Sequence, residues 1–277
     1  MQTFFLHRIL QIVFSILFCF FPFVVLAQNI PDQKYQKVLE DITSNTNELT
    51  KRTVDVLKYH YRNEQSTKRY LDRVHFVALP EVLRGGNARA IASKYSQYVV
   101  VDAALVLEIF DVSKLIVIGR FLDRPRAAAI IRDASRIYGA ESTEAHINGK
   151  PLPPFRFNEA DYLSDEGELQ LVERLHLEIA DITIAWVILH ELAHHMLGHT
   201  LREPINKAQS RNDELAADAW AFKKLTELGI CLWGVGQVMS LWSGWEQARE
   251  ILGIEDPEEE SSHPSWRTRY QKLTQLY

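Results

Sequence analysis

The sequence predicts an α+β fold, mostly helical with one small sheet, and three observations predict it. Apolar residues recur at helical spacing over residues 33–62 and again from Glu168 to about Thr200. Between these stretches lie two short runs with strand character, Val74 to Leu79 and Tyr98 to Val101. At 277 residues, 47% apolar and 24% charged, the chain has material for a folded core, so disorder, collagen-like repeats and coiled coil are excluded for the whole.

The first 27 residues stand apart. Met1 to Arg8 is short and carries Arg8, and Ile9 to Ala27 has no charge. This is a targeting segment: either a signal peptide ending on the small-x-small Val25-Leu26-Ala27, or an uncleaved anchor that associates with a membrane through residues 9–27. Arg8 stays cytoplasmic in both cases, so residues 28–277 are expected outside the cytoplasm, periplasmic or secreted. They are read as a single domain with an insertion around residues 111–167.

Within that body, Tyr35, Val38, Leu39, Ile42, Leu49, Val56, Leu57 and Tyr61 form an apolar stripe, giving one helix or two that cover the core. Arg84-Gly85-Gly86-Asn87 is a turn, and the runs on either side of it give a sheet of two or three strands. Ala103 to Phe110 reads as a helix, as does the alanine-rich stretch Pro125 to Tyr138, stopped by Gly139. Residues 140–165, around Gly149-Lys150-Pro151-Leu152-Pro153-Pro154, read as a surface loop. Glu168 to Thr200 is the central helix, and Arg202 to Asp213 is a polar connection. Glu214 to Leu228 is helical and stopped by Gly229. Cys231 to Ile251 is a packed helix rich in tryptophan, and a last short helix runs to Tyr277.

Charge and cysteine usage narrow the function. A net charge of −5 lacks the basic surplus of a protein that neutralises phosphates, so no nucleic-acid partner is expected. The two cysteines, Cys19 and Cys231, can form neither a disulfide scaffold nor a four-thiolate metal site. Cys19 lies in the leader, and Cys231 is expected to be buried rather than reactive. Any metal must therefore be held by histidines and carboxylates.

The central helix contains His190-Glu191-Leu192-Ala193-His194, an H-E-x-x-H string. Four residues are just over one helical turn, so both imidazoles leave one face and can share an ion, with Glu191 beside them to accept a proton from water. The apolar approach Ala185 to Leu189 buries this helix, and buried polar groups at that place need a purpose. A third ligand is required. The metzincin pattern fails, because it needs glycine and histidine where Leu197 and Thr200 stand. Glu214, on a helix that returns after a turn, can supply the carboxylate. Asp218, one turn further, faces the same way and can accept the outer ring N–H of His190 or His194.

His190-Glu191-x-x-His194 followed by Glu214-Leu215-Ala216-Ala217-Asp218 resembles the H-E-x-x-H and E-x-x-A-D signatures of gluzincins related to the CAAX prenyl proteases, the Oma-type protease and bacterial periplasmic chaperone-proteases. Asn87-Ala88-x-Ala90 with Tyr98 to Leu105 is similar to that family's edge strand, following strand and helix. His263-Pro264 with Arg269 is similar to its late H-P-x-x-x-x-R element. The resemblance implies a zincin-like metalloprotease domain in which His190, His194 and Glu214 bind Zn2+ and Glu191 is the general base. It further implies that Asp218 backs a ligand, that His263 donates to the oxyanion and that Arg269 orients its loop or pairs with an acid of the active-site helix. A more distant resemblance, to Lit-type and ImmA-type gluzincins, shares the H-E-x-x-H helix and a later glutamate. His195 and His199 are expected to be non-ligands.

The expected function is zinc-dependent cleavage of extended or misfolded protein segments, with the Asn87 to Val101 hairpin as the edge strand on which a peptide substrate adds. The alternative is a zinc-containing chaperone-like binding protein of the cell envelope, using Trp233, Trp242, Trp245 and Trp266 as an aromatic surface, although core positions suit these residues better. A third possibility is a helical domain whose polar cluster holds no metal.

Overall fold

The structure is a computed structural model describing residues 33–79, 88–93, 96–121, 123–136, 163, 165–202, 206–251 and 263–275. The chain divides into two compact units, Met1–Glu40 and Asp41–Tyr277, and the second carries the core. The leader, the turn at residues 84–87, Gly139 and the proline-rich loop lie outside the described residues.

In chain order the described elements are α1 (Gln33–His60), α2 (Gln65–Leu71), β1 (Val74–Leu79), β2 (Ala88–Ala92), β3 (Gln97–Asp102), α3 (Ala103–Phe121), α4 (Arg124–Arg136), α5 (Glu166–Met196), α6 (Lys207–Glu227), α7 (Trp233–Ile251) and α8 (Trp266–Gln275). One turn of 3-10 helix, His199–Leu201, lies between α5 and α6. The fold is α+β and mostly helical, as the sequence predicts.

The sheet has the order β1-β3-β2, with β1 parallel and β2 antiparallel to β3. Val99, Val100 and Val101 occupy the middle strand and are buried, as β-branched residues on a covered sheet should be. The two edges differ. On β1, the Ala78 N–H donates to Asn47 Oδ1 of α1 at 3.1 Å, so α1 caps that edge. Its buried stripe is Thr50, Val54 and Leu57, each about one turn from the next, and Tyr61 just past its end continues it, while Val56, expected on this face, is 54% exposed. β2 runs beside α5 instead.

The hydrophobic core is built around α5, which packs against α3, α6 and α7, and against β2 and β3 near the sheet. Asp165 caps its start by accepting from the Glu168 N–H at 2.9 Å, with Glu166 and Glu168 in the first turn. From Trp186 to Ala193 every residue is buried, so the helix is covered on all sides. α5 ends at Met196, earlier than expected, because Gly198 takes a left-handed φ of 76°.

Other boundaries also move. α3 continues past Phe110 to Phe121, since Val112, Leu115, Val117 and Ile118 carry its apolar surface into the core. α6 begins at Lys207 rather than at Glu214, because Asn206 caps it by accepting from the Gln209 N–H at 2.9 Å. It ends as expected at Gly229, whose φ of 74° closes the last turn while the Ile230 N–H reaches the Leu225 carbonyl. Cys231 is exposed, contrary to expectation, because it lies in the link between α6 and α7 and not within a packed helix. Trp242 and Trp245 belong to the core and Trp266 packs against it, so the four tryptophans form no common surface; Trp233 is 44% exposed. Among the described residues, no helix is long and apolar enough to cross a membrane.

Candidate metal centre

His190 and His194 leave the same face of α5 near its C-terminal end. Their Nε2 atoms stand 3.2 Å apart. α6 runs back across α5 and brings Glu214 between them, with Oε2 3.1 Å from His190 Nε2 and Oε1 3.3 Å from His194 Nε2. Among the described residues this is the group of His, Cys, Asp or Glu side chains that could hold a metal ion, its donor atoms all within 4.8 Å of one another. The spacing tests the fit. A tetrahedral ion with bonds of 2.0–2.1 Å has ligand atoms about 3.3 Å apart, close to the 3.2 Å between the two Nε2 atoms, each of which has one oxygen of Glu214 at a similar distance, and two imidazoles with one carboxylate leave a fourth position open.

The outer nitrogen of His190 is fixed by Asp218. Nδ1–H donates to Asp218 Oδ1 at 2.9 Å, which turns Nε2 inward. Asp218 is gripped in turn by Arg269, whose Nε and Nη2 donate to its two oxygens at 2.7 Å each. All three groups are buried. Arg269 also lies over the rings of Trp266, at 4.3 Å, and Trp186, at 5.4 Å. Arg269 thus pairs with an acid, but one on α6 and not on the active-site helix α5.

Burial and charge set the protonation of the cluster before any metal arrives. Burial disfavours charge on His190, but the Asp218 carboxylate and the hydrogen bonds to Asp218 and Glu214 outweigh it and raise its pKa to about 10. His194 goes the other way, lowered to about 4 by burial and by the neighbouring His190. Burial works to raise the Glu214 carboxyl, yet the hydrogen bond and charge of His190, with Arg269, hold it well below the usual range. Asp218 is likewise depressed despite burial, chiefly by Arg269 and His190.

Glu191 sits 4.0 Å from His190 Nε2 through Oε1, and the backbone N–H of Ala90 on β2 donates to its carboxylate. Burial raises its pKa to about 7. The putting together of a near-neutral carboxyl and a strand edge is the feature on which acid–base chemistry can act. His263 comes to the rim, Nε2 3.8 Å from Glu214 Oε1 with its side chain 63% exposed. His195 has a structural position: Nε2–H donates to the Tyr98 carbonyl at 2.9 Å, Nδ1 accepts from Thr200 Oγ1 at 3.0 Å, and together they tie α5 to β3.

Three residues that sequence reasoning did not place also converge here. His199 Nδ1 lies 3.1 Å from His194 Nδ1, its Nε2 lies 3.6 Å from Asp213 Oδ1, and Arg202 donates to that same oxygen at 2.8 Å. The signal was present in Gly198, a helix stop that returns the next side chain toward the helix end, and in Asp213, the residue before Glu214.

Residues 150–228 match the sequence model of the family described as Peptidase U49, a stretch containing His190, Glu191, His194, Glu214 and Asp218. No curated protein and no solved structure matches the chain. The family match supports a peptidase and agrees with the metallopeptidase-like character that the motifs imply.

Proposed function

We propose that the chain is a zinc metalloendopeptidase of gluzincin type that hydrolyses extended or misfolded protein segments outside the cytoplasm. The observation carrying this reading is the convergence of His190, His194 and Glu214 on one point, with Glu191 beside them and against β2. Those three side chains would hold zinc, which when bound would supply a Lewis acid able to make water acidic, from a pKa of about 15.7 to about 7, and to polarise a carbonyl oxygen.

The protein groups do the rest. Glu191 takes a proton from the attacking water at its carboxylate and passes it to the leaving amine nitrogen. A substrate strand adds along β2, because β3 is internal and Asn47 occupies the β1 edge. Binding of this kind reads backbone more than side chains, which favours broad specificity. His263, exposed at the rim, donates to the oxygen that gains negative charge. The uncharged stretch Ile9 to Ala27 supports export.

Metal analysis and one substitution test the reading. The purified chain should hold about one zinc, and Glu191→Gln should keep that zinc while cleavage of an unfolded protein falls by a factor of about 10²–10⁴. Absence of zinc after preparation without chelators, or undiminished cleavage by Glu191→Gln, rejects it. Equal protection of a substrate from aggregation by both forms, without cleavage by either, favours the binding-protein alternative.

A further inference from the structure

The two ligand histidines are backed differently. His190 meets a carboxylate directly, Asp218, which is held by Arg269. Among the described residues no carboxylate meets the outer nitrogen of His194. That atom, Nδ1, faces His199 Nδ1 at 3.1 Å, and the far nitrogen of His199 faces Asp213, which is held by Arg202.

We propose that His199, backed by Asp213, is the positioning residue of His194 and sets how well the centre holds its metal. The inference rests on the metal reading of the site given above. For His194 to offer the Nε2 lone pair, its proton must sit on Nδ1. The acceptor in reach is His199 Nδ1, so the proton of His199 sits on Nε2 and points toward Asp213 Oδ1, 3.6 Å away. Each ligand histidine then ends on an aspartate–arginine pair, buried for His190 and half-exposed for His194, where Arg202 is 48% exposed. The local sequence makes this possible. Gly198 turns the chain at the end of α5 with φ 76°, and the 3-10 turn that follows sets the His199 ring edge-on to His194, centroids 5.1 Å apart. α6 supplies Asp213 and Glu214 side by side, one for the outer partner and one for the metal. His199 touches no ligand atom that faces the metal position, which separates it from the catalytic group.

The test compares zinc affinity, by competition with a chromogenic chelator, in the full chain and in three variants. His199→Ala should weaken zinc binding by a factor of about 10–100, the usual cost of removing an outer partner of a ligand histidine. His199→Asn should recover most of the loss, because the asparagine Oδ1 falls where Nδ1 was and can accept the same proton. Asp213→Asn should fall between them. The visible absorption of the Co2+-loaded protein should change in His199→Ala and revert in His199→Asn, while the thermal midpoints of the metal-free forms stay together. Zinc affinity in His199→Ala within about twofold of the wild type, or equal losses in the alanine and asparagine variants, overturns the proposal while leaving the metal centre standing. Should His199→Ala fail to fold, an unchanged affinity in Asp213→Asn overturns it. Failure of the wild type to bind zinc overturns both readings together.

Discussion

Asp218 accepts two hydrogen bonds from Arg269, at 2.7 Å each, and this pair joins α8 to the middle of the candidate metal centre. It is buried on both sides, and its free energy depends on both charges being present. Asp218 is committed on one oxygen to His190 and on both to Arg269, so neither the orientation of the histidine nor the docking of α8 can change alone.

Arg269→Ala should therefore cost about 3–5 kcal/mol of stability, since it leaves a carboxylate buried with its chief partner gone. Arg269→Lys should recover part of the charge and not the two-pronged geometry. Urea unfolding of the metal-free chain measures both; a loss of under about 1 kcal/mol for the alanine variant would place the pair among exposed ion pairs, against its burial.

Metal affinity should climb with pH. Burial acts against charge on His190, but Asp218 and Glu214 prevail and raise its pKa to about 10, so across neutral pH the imidazole must lose a proton before Nε2 can bind. Apparent zinc affinity should rise about tenfold per pH unit between 7 and 9, and less steeply in Asp218→Asn. The same shift fixes a sign for stability without metal. The contribution of His190 is complete below its unperturbed 6.5 and is lost as pH rises through about 10. A pH series of thermal midpoints should fall over that window in the wild type, and a rise there contradicts the assignment.

How much of this was written in the sequence depends on distance along the chain. His190, Glu191 and His194 were legible because helical geometry alone brings residues four apart to one face, and Glu214 and Asp218 because a second helix repeats the same relation. The strands from Val74 and Tyr98 were legible from short apolar runs with turn signals beside them. His199 was not, because its role depends on the φ of Gly198 reversing the chain, and Asp213 was hidden by reading residues 202–213 as a connection when α6 already begins at Lys207. On α1 Leu57 and Tyr61 are buried as expected, but Val54 and not Val56 joins them, and the buried polar Thr50 could not be found from a periodicity of apolar side chains. Phe110 as an end to α3 failed for another reason: a helix buried all round gives no polar face by which to mark its limits.

Trp186 is the floor of the centre. It is 2% exposed, stacked with Phe222 at 6.0 Å, and lies against His190 and Trp266. Its indole nitrogen has no hydrogen-bond partner among the described residues. Trp186→Phe should thus cost below about 1.5 kcal/mol, while Trp186→Ala, which opens a cavity beneath the ligand, should cost about 3–5 kcal/mol. Denaturant midpoints at a common slope give both numbers, and a phenylalanine variant as unstable as the alanine one would mean that the nitrogen has a partner.

Gly198 is the residue on which the far side of the centre turns. A Cβ added there meets no atom within 4 Å, so the cost of replacing it comes from the backbone, at φ 76°, and not from crowding. Gly198→Ala should then lose about 1–2 kcal/mol, the penalty of a left-handed conformation, and Gly198→Asn distinctly less, because asparagine enters that region more readily. A Cβ has room at this position, so the cost of alanine is set by φ. Unfolding free energies of the metal-free variants measure it, and alanine and asparagine forms of equal stability would mean that the chain escapes the left-handed turn, carrying His199 away from His194.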